Sequence, residues 1–433
     1  VAVFTGTTKA YMGNGTRADV SGLLDVKADT TENVITTAVG GAGGGAAGVA
    51  GSLNVKVLSA TTQAFIGSDV LVNQNEAYDA LNQAINVEAD DRIITLGLAG
   101  SGAGGGAAGV AASADITIIR NLTSAYVGDR AYVDAEQNIG INAASEKYIN
   151  SLVVSGAGGG AAGVAGALSV ITIGSLLDDE AMSGLTGKNE AGEEVSTQDQ
   201  VDDIITGNST GDALGTSSEA LRAKSIINAE TTKIGISDDF DNASTVALNN
   251  TQAFIGIGAR INAGGNLTVK ANDRNVVIVG EIAGAGGGAA GVAGAAAVIL
   301  IHDAAEAFIA ANAETNASGS TTVQANTADD IFAAGITGSG AGAAAVNGIA
   351  IVAVMSSETY AYIANGAKVN QNAAYNSSLQ SVYVIADGDT YIVAIAGSGG
   401  GAGAAAVGGA ANVGVFKKQI KACIGDNAAV NAR

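Results

Sequence analysis

The sequence has no proline, no tryptophan, one histidine, one cysteine and only 4% aromatic residues in 433. Average usage would place about twenty prolines in a chain of this length. Proline cannot donate an N–H to a ladder, so its absence points to a backbone committed to continuous strand pairing. A single histidine, His302, excludes a histidine triad or a histidine-based metal cluster built from this chain. A single cysteine, Cys423, excludes an intramolecular disulfide framework. With so few aromatics, whatever core forms is narrow and aliphatic. Positive charge is short as well: 20 Lys and Arg stand against 41 Asp and Glu, a net −21. That balance disfavours nucleic acid and anionic lipid as partners and fits a soluble, secreted surface.

What is abundant is glycine, alanine and repetition. The motif Ala-(Tyr/Phe)-x-Gly or a close relative places alanine at 10, 64, 125, 253, 307, 361 and 422. A second marker, an apolar residue then x-Ala before a polar cluster, places it at 28, 89, 143, 271, 325 and 386. A third, the block GAGGGAAGVAG in its fullest form, places it at 46, 107, 161, 289, 343 and 404. The first marker advances by 54, 61, 128, 54, 54 and 61 residues. The 61-residue steps carry the similar phrases VNQNEAYDALNQ and VNQNAAYNSSLQ, and the 128-residue step holds a single long insertion.

A fixed period identifies a repeat architecture. Within each repeat apolar and polar residues alternate, as in Leu53-Asn-Val55-Lys-Val57, which is the two-residue period of strands with one buried face. The expected fold is all-β: a parallel β-helix, or β-solenoid. Ala10, Ala28 and Ala46 stand 18 residues apart, which predicts coils of about 18 residues, three to each 54-residue repeat. On that reading Ala253, Ala271 and Ala289 stack in one column, and about 19 coils make a rod of about 90 Å. Coils of about 27 residues, or an antiparallel meander, are the alternatives. Five or six glycines per block are expected where backbones approach too closely for side chains.

The pattern divides the chain into solenoid repeats at 1–174, an acidic insertion at 175–247, and further repeats at 248–433. The insertion carries fifteen acidic and four basic residues, has helix-compatible stretches at 197–205 and 217–227, and is expected to leave from a solenoid corner. Val1 to Tyr11 reads as the middle of a repeat, so the native chain is expected to begin upstream. Neither end carries a polar cap, which predicts covalent continuation or end-to-end stacking of copies.

Candidate chemistry lies in the polar clusters after the second marker: Asp29, Asp90-Asp91-Arg92, Glu146-Lys147, Asp273-Arg274, Asp329-Asp330 and Asp387-Gly-Asp389. Asp387, Asp389, Asp90 and Asp91 are the Ca²⁺ candidates. Their changing identity at one phase fits a solvated face better than an active site, so no catalytic residue and no cofactor is expected. His302 and Cys423 are expected to be structural. The apolar stretch 276–301 is long enough to span a membrane, but it contains Glu281 and recurs in form at the repeat phase, which assigns it to the solenoid.

The phrases GGNLTVKAND and AINVEADD, with the glycine blocks, resemble the repeats of large filamentous haemagglutinins and leukotoxin-type filamentous adhesins of diderm bacteria. The resemblance covers the repeats and not the insertion. It implies a right-handed parallel β-helix, export to the cell surface or beyond, and a structural role in adhesion or biofilm matrix. Expected partners are further copies, end to end or laterally in a fibre, and host or bacterial surface glycans or proteins. A polysaccharide-active β-helix enzyme and a secreted membrane-active toxin are the alternatives. The glycine richness departs from that family's pattern.

Overall fold

The computed structural model describes residues 1–174 and 250–433, with two short antiparallel strands at Thr186–Lys188 and Glu194–Ser196. The expected helix-compatible stretches at 197–205 and 217–227 lie outside the described residues. The chain is a parallel β-solenoid built from three sheets. Each coil runs along a first long strand, such as Ala84–Gly105, reverses, and returns along a second, such as Ala108–Val127. It then closes through a short third strand, such as Tyr132–Ala135.

Every pairing between coils is parallel and in register over the whole strand. Leu23–Gly44 pairs with Ala84–Gly105, that strand with Ile139–Gly159, and so on to Ser381–Ala402. This excludes the antiparallel meander. It also corrects the coil length. Ala253 pairs with Ala125 and Ala307, Ala271 pairs with Ala143 and Ala325, and the Ala343 N–H reaches the Ala289 carbonyl. The three alanines therefore belong to three places on one 54-residue coil and do not stack on one another. Eighteen residues is the distance from the second long strand around the short one to the first, and again from there to the turn. With strands of 20–22 residues, each coil is about 65–70 Å wide, and the seven rungs of the second sheet rise about 30 Å. This stretch is a slab, not a 90 Å rod.

The cross-section is a wedge. At its wide end the short sheet holds the two long sheets apart around a continuous aliphatic core, in which Ala64, Ala89, Ile141, Ile261 and Val323 are fully buried. The first two alanine markers line this core. The third marker sits at the narrow end, where the long strands turn back on each other. There the expected close approach is present: a Cβ on Gly44 would lie 2.0 Å from the Ala47 carbonyl oxygen, and one on Gly105 1.9 Å from that of Ala108. At the tip itself a Cβ on Gly160 would lie 2.1 Å from the Gly106 oxygen of the preceding coil.

The acidic insertion does not leave from a corner. Ala162–Ile173 and Thr251–Ile255 pair with the same two neighbours, Ala108–Val127 and Ala290–Ile309, and make one interrupted rung of the second sheet. The chain departs through Gly174 at φ 81°, where a Cβ would meet the His302 carbonyl at 1.8 Å. Few ladder bonds are lost, because Gly174 N–H still donates to Ile119 O and Thr123 N–H to Asn250 O, each at 2.9 Å. The two VNQN phrases form matching corner loops, each a single 3₁₀ turn capped by Asn75 or Asn372.

Candidate functional site

Alternation along a strand sends neighbours to opposite faces, and this divides the predicted Ca²⁺ candidates. Asp90 lies on the outer face of the first long sheet, half-buried, whereas Asp91 points inward and is buried. They cannot share an ion. Asp387 and Asp389 both face outward and are exposed. Asp387 continues the column of Asp29, Asp90, Ala144, Asn272 and Asn326. Asp389 follows Thr31, Arg92, Glu146, Arg274 and Ala328. Among the described residues no three carboxylate, histidine or cysteine side chains group as a metal site would require.

On this outer face opposite charges meet across coils. Lys27 bonds Glu88 at 2.7 Å and Asp90 at 3.1 Å. A hydrogen bond from Asp90, then one from Lys27, hold Glu88 down at about 2. Burial, then the bond to Glu88, pushes Asp90 up to about 6. Arg274 bonds Asp330 at 3.2 Å beside a shallow depression of about 450 Å³, floored by Ala144 and Asn272 and rimmed by Glu146, Arg274, Asp330 and Asp389.

The inward members of the same clusters build a polar seam between the two long sheets, which sequence reasoning did not separate from the outer face. Asn121 Nδ2 donates to Asp91 at 3.0 Å and to Ser145 at 2.7 Å. Lys147, buried, donates to both oxygens of Asp273 at 3.1 and 3.0 Å and to Ser145 at 2.9 Å. Asn275 Nδ2 faces three carboxyl groups: Asp329 at 2.9 Å, Asp273 at 3.1 Å and Asp303 at 3.3 Å. An amide has two hydrogens for these three acceptors, and Asp273 also accepts from Lys147 and from Thr251 at 2.7 Å. Burial, then the Asp329 and Asp273 charges, raise Asp303 well above the carboxylate range. Burial carries Asp329 up to about 6, and burial with the Asp91 charge carries Glu32 up to about 8. The alternating pattern of i and i+2 was the signal that could have found this seam: Asp91, Asp273 and Asp329 share their phase with apolar core residues.

His302 lies half-buried on the second sheet, beside the point where the chain departs. Cys423 pairs in register with Tyr362. It closes a ladder of flat-stacked rings running Tyr11, Phe65, Tyr126, Phe254, Phe308 and Tyr362, with centroids 4.7–5.0 Å apart. Burial raises the Cys423 thiol, which disfavours the thiolate. The stretch 276–301 divides between Leu267–Gly287 and Ala290–Ile309. No helix among the described residues is long and apolar enough to cross a membrane.

Comparison with protein-family models, with curated proteins and with solved structures returned no match to this chain.

Proposed function

We propose that this chain is a non-catalytic structural segment of a secreted bacterial fibre or cell-surface adhesin. The observation that carries the reading is coil-to-coil uniformity. Backbone register holds through every rung while the polar residues at each position drift, as in Asp90, Ala144, Asn272, Asn326 and Asp387. What recurs from coil to coil is the shape and not one asymmetric constellation, which is what a spacer or fibre needs.

Growth along the axis follows from strand chemistry. The outer edges of Leu23–Gly44 and Ser381–Ala402 pair with no other described strand. Phe4 and Phe416 share one column of the second sheet, which keeps a single register through all its described rungs. Exposed edges of this kind recruit strands. Surface glycans or proteins are the ligand class for the polar outer face. Electron micrographs of the native material are expected to show extended fibres. Compact particles that cleave polysaccharide would contradict the reading.

A further inference from the structure

The narrow half of the wedge is an uncharged blade. In each of six coils the run through the turn, such as 33–55, 93–114 and 331–357, contains no Asp, Glu, Lys or Arg, apart from Glu281, which points inward and is buried. Both outer surfaces of the blade are apolar, and near the tip both are open. Farther from the tip, outward residues of the second sheet such as Val55, Ala114 and Val298 are buried. On the first sheet Ile35, Val39, Ile282, Ile336 and Ile395 are 48–80% exposed. Parallel sheets are ordinarily covered on both faces, and exposed apolar patches on monomers rarely exceed a few hundred Å².

The glycines of this blade fall into two groups. Most of those pointing inward or lying at the tip would clash if they gained a Cβ, with backbone as at Gly40, Gly48 and Gly105 or with a side chain as at Gly97 and Gly335. The others have no such reason. Gly41, Gly102, Gly156, Gly284, Gly338 and Gly399 form one outward column, and Gly43, Gly104, Gly158, Gly286, Gly340 and Gly401 form the next. A Cβ on eleven of these twelve would meet nothing within 4 Å, and on Gly338 only the Gly399 oxygen at an ordinary 3.7 Å. Glycine weakens a strand relative to alanine, and the neighbouring outward column has drifted through Val39, Gly100, Val154, Ile282, Ile336 and Gly397. Twelve glycines held at open positions therefore answer to something outside the coil.

The opposite surface supplies the complement. On the second sheet Val49, Val110, Val164, Val292, Val346 and Val407 form an unbroken valine column between a column of alanines and one of glycine with a single alanine. A ridge of six valines and a flat groove of bare backbone share one spacing, about 4.8 Å per coil. Nine residues across and six coils high, the first-sheet surface covers about 850 Å², close to the roughly 800 Å² per partner of a stable interface. Apart from the buried Glu281, every charged residue lies outside these runs, so juxtaposed blades bring no charged side chain into the contact.

We propose that the glycine groove of one copy receives the valine ridge of a second, so that the solenoids associate side by side through their blades. The contact is heterologous and leaves a free ridge and a free groove, so it propagates into flat bundles. The inference rests on the reading of the chain as a fibre segment and names the surface through which fibres would associate laterally.

The test uses the full 433-residue chain and the variant Gly156→Thr, Gly158→Thr, Gly284→Thr, Gly286→Thr, with Val292→Asp, Val346→Asp as an independent ridge variant. Sedimentation velocity and electron microscopy read assembly, and thermal unfolding reads stability. Both variants are expected to weaken lateral association at least about a hundredfold and leave single-width particles. The threonine variant is expected to melt higher than the parent, because threonine favours strands. Bundles that persist in either variant, or a threonine variant that melts lower than the parent at a dilution where neither associates, would overturn the proposal. So would a parent chain that binds phosphatidylcholine vesicles and forms no bundles. Single-width fibres surviving in both variants leave the fibre reading intact, whereas a parent chain that pairs laterally but never elongates would count against that reading alone.

Discussion

Lys56 Nζ lies 2.6 Å from Asp115 Oδ1, with both side chains fully buried between the long sheets. Gly97 makes the room: a Cβ there would lie 2.0 Å from Lys56 Nζ and 2.1 Å from Asp115 Oδ2. Ser151 completes the site by donating to Asp115 Oδ2 at 2.6 Å. Burial lowers Lys56 despite its partner. Removing one charge strands the other, so Lys56→Met should destabilise the solenoid by about 3–5 kcal/mol. The double variant Lys56→Met, Asp115→Leu should recover most of that loss in chemical denaturation. If both variants unfold alike, the pair is not the buried unit described.

The glycine blocks yield a contrast within two consecutive residues. Gly105→Val drives a side chain into the Ala108 carbonyl and should destabilise by about 1–3 kcal/mol through overpacking. Gly104→Val enters open space and should be neutral or stabilising, since valine favours strands. Equal losses at both positions in denaturant unfolding would contradict the alternation of the blade.

Much of this was legible in the sequence. The absence of proline, the alternation and the 54-residue period gave a parallel solenoid with glycine at close approaches. The coil length is not legible there, because the three alanine markers are equally spaced although two line the wide core and one marks the turn. Spacing alone cannot distinguish a third of a coil from a whole one, and only the pairing of Ala271 with Ala325 does so. Likewise, Asp90 and Asp91 looked like one cluster, yet a strand's two faces place one in water and one in the seam. The glycine columns facing outward could have been read from the GxG pattern, but not which glycines meet open space.

Stability should depend on pH through the buried carboxyls. Glu32, Asp329 and Glu306 stand at about 8, about 6 and about 7, each raised chiefly by burial. A raised carboxyl binds its proton more tightly in the folded chain, so the unfolded chain ionises first. Stability is therefore greatest near pH 4 and falls as pH rises toward 8. Thermal unfolding across that range should show the decline, and Glu32→Gln should flatten its upper part. Stability that rises steadily from pH 4 to pH 8 would contradict the seam.

Phe254 and Phe308 are 1% exposed and stack at 4.8 Å with their ring planes 2° apart. Phe254→Ala should destabilise by about 3–5 kcal/mol, in the range for buried aromatic deletions. Phe254→Tyr keeps the stack and repeats what Tyr126 already does on the adjacent rung and Tyr362 on the rung beyond Phe308, so its loss in guanidinium denaturation should be much smaller. Indistinguishable midpoints for the alanine variant and the parent would show that the ladder contributes nothing.

The central claim is that one coil takes 54 residues and that the stack continues across the insertion. Asn142 and Lys270, 128 positions apart in sequence, are direct partners on the outer face of the first sheet. In a Cys423→Ser background, Asn142→Cys with Lys270→Cys places two thiols on adjacent strands at about 4.8 Å, within disulfide reach. The account predicts that mild oxidation of the folded protein closes this disulfide nearly completely, with a shift in mobility that reduction reverses. Coils of 18 residues would set the two positions about three rungs or more apart, and thiols that stay free under the same oxidation would contradict the 54-residue coil.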